Sequence, residues 1–286
     1  MKQVSVEIGD VPVSVVLVDD SFQLDGSYRN FTCSPSRAEC EWQVLSGPVP
    51  ARFQEPIPSD DTRRWEISCR WGEKVFRLWN HSQKDRLWKT ASVKLDFSRG
   101  DIWVNRKKPD TDCVPLFFID LLLWSHLLLD RGGLIIHAAA VQSKNSVYLF
   151  PGPAGSGKST WSRMISHLPD VMVLAEDKVV LRKNENIFMV FGTPWNPSPE
   201  SRVANGGRLE SIFFLQPSSR NRITELSLTD SFRRLLQSSF LPFSYEKDLS
   251  PALSLIEDLV RGIPARLFEF KPNVSAVDLW RSFSDA

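Results

Sequence analysis

A glycine-rich stretch at residues 152–160 is the part of the chain whose residue types and spacing point most directly to chemistry. It reads Gly-Pro-Ala-Gly-Ser-Gly-Lys-Ser-Thr and fits the pattern G-x-x-x-x-G-K-[ST] at every position. Glycine permits backbone conformations that a Cβ hinders, so successive amides can point inward around an anion. We call this stretch the glycine loop and predict that it binds a polyphosphate.

Each part of the glycine loop has an expected role in holding a nucleotide. The inward-pointing amides and the positive end of the following helix would face the phosphates. Lys158 supplies a mobile charge for the outer phosphates, and Ser159 supplies the hydroxyl that a phosphate-bound Mg²⁺ takes as a ligand. The predicted nucleotide-binding residues are Gly152, Pro153, Ala154, Gly155, Ser156, Gly157, Lys158, Ser159 and Thr160.

The elements around the loop are suited to position it. The apolar run Val147–Phe150 predicts a buried strand before the loop, and residues 160–167 predict a helix after it. Glu176 and Asp177 end the next apolar run. A phosphate loop needs a metal-holding acid on a neighbouring strand, and a second acid can orient or deprotonate a hydroxyl. The alternative is a pair of solvated acids at a strand end.

Several segments resemble the catalytic domain of HPr serine kinase/phosphorylase. They are His137–Val141, the glycine loop and Leu174–Leu181, which match that family's histidine run, phosphate loop and acid pair. Gly192–Trp195 and Arg261–Phe270 resemble a subgroup of HPr-kinase-like proteins encoded with ribosomal peptide clusters, including kinases that tailor lasso peptides. In that subgroup the phosphate acceptor is a serine at the end of a precursor peptide.

The resemblance, which covers about residues 115–286, implies a kinase that uses ATP and Mg²⁺. It implies that Lys158 contacts the outer phosphates and that Ser159 and Asp177 lie at the metal. Glu176 stands where the family has the Asp that activates the serine hydroxyl, and His137 stands close to the phosphates. The expected catalytic residues are therefore Glu176, His137, Lys158 and Asp177. For His137, a core histidine on a strand is the alternative.

Four functions stay open for this set of residues. The first is an ATP- and Mg²⁺-dependent kinase that phosphorylates a serine of a ribosomally made, lasso-type precursor peptide. The others are an HPr-type protein serine kinase, a small-metabolite kinase and a non-catalytic nucleotide-binding sensor module. The chain has no N-K-x-D, H-R-D or D-F-G run, which argues against an ordinary GTPase or protein kinase. The acid pair favours an enzyme.

The composition of the chain indicates its cellular compartment and excludes some classes of partner. The chain has 286 residues, 42% of them hydrophobic and 24% charged, and a net charge of +1, so no basic field invites nucleic acid or acidic membrane. The apolar run Pro115–Leu129 is shorter than the roughly 20 residues of a membrane span and predicts a core helix. The four cysteines form no C-x-x-C pair, and the N-terminus has no signal-peptide pattern. We expect a cytoplasmic protein that acts on a peptide, and a homo-oligomer stays open as its assembly.

Two domains are predicted, a β-rich N-terminal domain over 1–112 and a catalytic domain with a mixed sheet and flanking helices over 113–286. The fold class is therefore α+β or α/β. Alternating apolar and polar residues predict strands throughout the first domain, with one hairpin at Gly72. Ser92–Phe97 and Asp101–Asn105 predict another hairpin, with its turn at Arg99 and Gly100.

The irregular segment 192–208 adds a hypothesis about access to the site. Its glycines and prolines suggest a lid that excludes water from the transferring group. Glu200 is a possible metal or acceptor contact, and Arg202 and Arg208 are possible stabilisers of phosphoryl charge. The alternative is a plain surface loop.

Overall fold

A computed structural model describes residues 1–54, 65–79, 87–105, 116, 118–242 and 246–284 of the chain. The fold is mixed α+β, with two mixed sheets and several helices. Contacts separate two compact units, one of Met1–Asp130 with Pro242–Ser244 and one of Arg131–Leu241 with Tyr245–Ala286. The boundary predicted at 112–113 lies outside the described residues, and the helix that ends at Asp130 groups with the first unit.

The first unit is built on a seven-stranded mixed sheet. Its elements are β1 (Lys2–Ile8), β2 (Val11–Leu17), β3 (Cys40–Ser46), β4 (Trp65–Arg70), β5 (Glu73–Trp79), β6 (Leu87–Lys94), β7 (Arg99–Val104) and helix α1 (Ile119–Asp130). The strand order is β1-β2-β3-β7-β6-β5-β4, and only the pairs β2–β3 and β3–β7 are parallel. The β-rich character predicted for this part of the chain is confirmed in its described residues.

Helix α1 supplies the apolar layer of this unit. Its side chains are buried nearly all round, which is typical of a core helix rather than of an amphipathic surface helix. Asp120 accepts a 2.5 Å hydrogen bond from the Tyr28 hydroxyl, and His126 Nδ1 lies 3.0 Å from Lys74 Nζ. The core helix predicted over Pro115–Leu129 is confirmed from Ile119 onward. In the described residues, no helix is long and apolar enough to cross a membrane.

The predicted turn at Gly100 is wrong, although the hairpin itself forms. Strands β6 and β7 pair antiparallel, but Arg99 and Gly100 belong to β7 and the turn is made by residues 95–98. A Cβ on Gly100 would lie 2.3 Å from Val93 Cγ1 on the neighbouring strand, so this glycine permits close strand packing rather than a turn. By contrast, the hairpin predicted at Gly72 is confirmed between β4 and β5.

The second unit is built on an eight-stranded mixed sheet. Its elements are β8 (Gly133–Ser143), β9 (Ser146–Pro151), α2 (Lys158–Ile165), β10 (Val171–Ala175), β11 (Lys178–Asn184), β12 (Ile187–Phe191), β13 (Gly206–Pro217), β14 (Arg222–Glu225), α3 (Leu228–Ser238), α4 (Glu246–Gly262), β15 (Ala265–Phe270) and α5 (Val274–Ser284). Strand β8 pairs with β9 and β11, and the pairings β11–β12, β12–β13 and β13–β9 close a ring of five strands.

An aromatic cluster fixes α2 against this sheet. Trp161 of α2 is fully buried, and its ring centroid lies 5.1 Å from that of Phe268 and 5.7 Å from those of Phe150 and Trp280. The pairs with Phe268 and Trp280 are edge-to-face, and such pairs add stability to the burial of large apolar area. The glycine loop, which connects β9 to α2, therefore starts and ends on elements that share one packed core.

The cluster predicts that Trp161→Ala destabilises the protein by about 3–5 kcal/mol, because the cavity left behind lies in a fully packed core. Urea unfolding followed by far-ultraviolet circular dichroism measures the change. The matched control is Trp71→Ala, since Trp71 is 57% exposed in a hairpin turn and should change the free energy by about 1 kcal/mol at most. Equal losses in the two variants would contradict the assigned core.

Candidate functional site

The glycine loop adopts a backbone that its glycines make possible. Gly155 and Gly157 have φ values of 83° and 101°, in the left-handed region that side chains disfavour. A Cβ on Gly157 would also lie 2.8 Å from the ring of Phe270. Helix α2 begins at the next residue, Lys158, so the loop leads directly into a helix N-terminus.

The loop leaves a row of backbone donors unused. In the described part of the chain, the N–H groups of Gly155, Gly157, Lys158 and Ser159 donate to no acceptor, and the first intrahelical bond is the 2.8 Å one from Trp161 N to Gly157 O. Unpaired amides at a helix N-terminus, together with the dipole of that helix, attract anions. The stretch predicted to bind phosphate thus has the backbone geometry that such binding needs.

Lys158 folds back over its own loop. Its Nζ donates to the carbonyl oxygens of Gly152 at 2.7 Å and Pro153 at 2.9 Å, and the residue is only 6% exposed. Desolvation lowers the pKa of the Lys158 ammonium, while the charge of Asp177 acts in the opposite direction. An incoming phosphate offers a stronger, charged acceptor than either carbonyl, so it can draw the ammonium away from them.

The acid pair occupies the short connection between β10 and β11, and its second member is held by two bases. Asp177 Oδ1 lies 2.9 Å from His137 Nε2, and Asp177 Oδ2 contacts Lys178 Nζ closely. Because a carboxylate only accepts, His137 Nε2 carries the proton of the shared bond. The hydrogen bond from His137, and then that from Lys178, hold the pKa of Asp177 well below its ordinary range. Asp177 is therefore an anion throughout the neutral range.

Strand β8 brings the acid pair and the glycine loop together. The carbonyl of His137 accepts from Gly152 N at 3.2 Å, and the next amide, that of Ala138, donates to Asp177 O at 3.0 Å. The one peptide group between His137 and Ala138 thus joins the first glycine of the loop to the acid pair. Three of the predicted catalytic residues therefore lie together, namely His137, Lys158 and Asp177. The fourth, Glu176, is contacted by the hydroxyl of Ser198 instead.

Asn196 is a site residue that the sequence did not reveal. Its Oδ1 accepts from the backbone N–H groups of Glu176, Asp177 and Lys178 at 3.0, 2.8 and 3.2 Å. Its Nδ2 donates to Lys178 O at 3.1 Å and to Thr193 O at 2.9 Å, and the residue is 2% exposed. One buried amide therefore sets the conformation of the whole acid turn. The only sequence signal was an asparagine in an irregular segment flanked by prolines.

The segment predicted as a lid is held down at its first half. Arg202 Nε donates to Asn196 O at 2.7 Å, and its NH2 group donates to Pro197 O at 3.2 Å. The guanidinium thus ties residues 196–202 into one loop. In the described part of the chain, the side chains of Glu200 and Arg208 make no hydrogen bond or ion pair, so their predicted roles stay predictions.

The site offers only a few side chains that could bind a divalent cation. This number is enough for a Mg²⁺ that is also bound by the phosphates of a nucleotide. Among the described residues, no three His, Cys, Asp or Glu side chains form a metal-binding group. Mg²⁺ usually keeps waters and takes one or two protein ligands in addition to substrate phosphates. The exposed hydroxyl of Ser159 and the ionised carboxylate of Asp177 fit that requirement.

No family model and no curated protein matches this chain. The geometry of the site is therefore the basis for assigning a function. The main features of this geometry are the unused amides of the glycine loop, Lys158 at the start of α2 and the ionised Asp177.

The network of Asn196 predicts that Asn196→Ala destabilises the protein by about 2–4 kcal/mol, because three amides of the acid turn lose their buried acceptor. Urea unfolding measures the loss. The matched control is Asn205→Ala, since the Asn205 side chain is exposed and its two bonds, a 3.4 Å one to Gln142 and a 2.8 Å one from the adjacent Gly206 N–H, hold no part of the acid turn. A loss below about 1 kcal/mol in both variants would show that the turn does not depend on Asn196.

Proposed function

We propose that the chain is an ATP- and Mg²⁺-dependent kinase that phosphorylates a serine hydroxyl of a ribosomally made, lasso-type precursor peptide, and that its second unit is a P-loop catalytic domain. The observation that carries the proposal is the hydrogen-bonded junction at His137. There a loop with unused amides meets an ionised carboxylate that is held in place. A nucleotide sensor needs the first of these features and has no need of the second.

Phosphoryl transfer is catalysed chiefly by positioning and charge stabilisation. The amides of the glycine loop bind the phosphates, and Lys158 leaves its carbonyl partners to pair with the outer phosphate oxygens. Ser159 and Asp177 are the residues that would hold Mg²⁺, which when bound neutralises phosphate charge. His137 and Lys178 keep Asp177 ionised and oriented for that purpose.

The two acids differ in their fitness as a base. Asp177 has its pKa depressed by two basic neighbours, which makes it a poor proton acceptor. In the described part of the chain, Glu176 has no cationic partner, and its Oε2 accepts a 3.4 Å bond from a serine hydroxyl, that of Ser198. This division supports Glu176 as the group that takes the proton of the acceptor and Asp177 as the metal ligand.

The choice of a peptide as acceptor rests on the resemblance of the chain to peptide-tailoring kinases. A small-metabolite kinase would use the same nucleotide site with another acceptor, since the fold does not fix the acceptor. A sensor module would bind the nucleotide and transfer nothing. Mass spectrometry of serine-ended precursor peptides incubated with the protein, ATP and Mg²⁺ separates these cases by the gain of one phosphate.

The proposal predicts that Lys158→Ala removes phosphoryl transfer while weak nucleotide binding persists through the loop amides. The readouts are phosphate incorporation and calorimetric ATP affinity. Lys271→Ala is the matched control, because Lys271 is exposed and its ammonium has no contact in the described part of the chain. Unchanged transfer in Lys158→Ala would overturn the assignment of the site.

The division of roles between the acids predicts opposite patterns for two conservative variants. Glu176→Gln should leave Mg²⁺-nucleotide affinity unchanged and lower turnover by about 10²- to 10⁴-fold, as loss of a general base does. Asp177→Asn should weaken that affinity, because the metal loses its carboxylate. Calorimetry and initial rates on both variants measure this, and full turnover in Glu176→Gln would place the base elsewhere.

A further inference from the structure

The Ser198 hydroxyl lies at the carboxylate that is proposed to accept the proton of the substrate. Its Oγ is 3.4 Å from Glu176 Oε2. Ser198 also precedes the short 3-10 helix Pro199–Ser201, where a serine commonly caps the first turn, yet its side chain makes no capping bond. The hydroxyl thus faces the acid rather than its own helix.

The bonds of Ser201 determine which acceptor the Ser198 hydroxyl donates to. Ser201 Oγ donates to Ser198 O at 3.0 Å, which uses the single proton of that hydroxyl. Ser198 Oγ, which is 3.0 Å from Ser201 Oγ, therefore keeps its own proton for another acceptor. The two acceptors within reach are the Glu176 carboxyl oxygen and the Ser201 hydroxyl oxygen, and Ser198 donates to Glu176.

The backbone around Ser198 holds the hydroxyl in this position. The side chain of Asn196, two residues earlier, accepts from the backbone N–H groups of Glu176 and Asp177. Arg202, four residues later, donates to the carbonyls of Asn196 and Pro197. The backbones that carry the serine and the acid therefore belong to one hydrogen-bonded unit.

We propose that Ser198 is an internal phosphate acceptor, modified within the same molecule when no peptide occupies the site. The proposal rests on the kinase function proposed above. Ser198 Oγ attacks the γ-phosphorus of the bound nucleoside triphosphate, and its proton passes to Glu176. The bond from the γ-phosphorus to the bridging oxygen breaks, the nucleoside diphosphate leaves with that electron pair, and the new Oγ–P bond remains.

The modification would make the site regulate itself. A phosphoserine carries a charge of about −1.5 to −2 at neutral pH, and it would lie against Glu176. Repulsion of this kind opposes the entry of a second phosphoryl group. A peptide acceptor must also displace the Ser198 hydroxyl from Glu176 before its own serine can bind there.

The test is phosphopeptide mapping of the full-length protein incubated with γ-labelled ATP and Mg²⁺ and no added peptide. The expected result is one phosphate, on Ser198, formed at a rate per molecule that does not change over a hundredfold range of protein concentration. Ser198→Ala should remove the label, and Glu176→Gln should slow it by about 10²-fold. Ser201→Ala is the matched control and should keep it, since Ser201 has no bond to Glu176.

Separate outcomes distinguish this proposal from the kinase function. Release of ADP without phosphate on Ser198, or a rate that rises with protein concentration, would overturn the internal acceptor and leave the kinase function intact. Failure to bind ATP in calorimetry, together with no release of ADP, would overturn both. Mapping of the unaltered protein requires no variant to fold, and circular dichroism verifies the fold of each variant.

Discussion

The candidate site depends on the single peptide group that joins His137 to Ala138 in strand β8. Its carbonyl accepts from the first glycine of the loop, and its N–H donates to the backbone of Asp177. Because both bonds belong to one strand, the distance between glycine loop and acid pair is set by sheet geometry rather than by side chains. The His137 imidazole adds a third bond, to the Asp177 carboxylate. A register slip of one residue in β8 would turn this histidine to the other face of the sheet.

Sequence predicted the parts of this site that are local in the chain. The glycine loop is a contiguous pattern, and the acid pair ends an apolar run, so both can be predicted from the sequence without knowing the fold. The role of Asn196 cannot be predicted in this way, because it depends on a loop that brings Asn196 to the amide of Glu176, 20 residues earlier in the chain. The sequence also does not indicate that the His137 imidazole binds an acid, since only the pairing of strands brings the two groups together. Asp177 precedes Lys178, the residue of β11 that pairs with His137, so the register brings the end of the acid turn beside the imidazole.

The sheet of the first unit also shows that features set by long-range contacts cannot be predicted from the sequence. Alternation of apolar and polar residues located most of its described strands, because one side of each strand packs on a core. The sequence predicted a turn at Gly100 because it does not show which residue Gly100 faces. That residue is Val93, whose side chain leaves no room for a Cβ, and only the pairing of β6 with β7 identifies it. A glycine in a sequence indicates either a turn or a close approach, and only long-range contacts distinguish them.

The bonds of Asn196 also limit how the segment after β12 can move. Lifting residues 193–202 away would leave three amides of the acid turn without their acceptor, at about 1–3 kcal/mol for each buried donor. Arg202 further ties this half of the segment into one unit by its two bonds to backbone carbonyls. The carbonyl of Asn205 also accepts from Gly192 N at 3.0 Å, and β13 begins at the next residue, so the segment is bonded at both ends and its first half serves as the support of the acid pair.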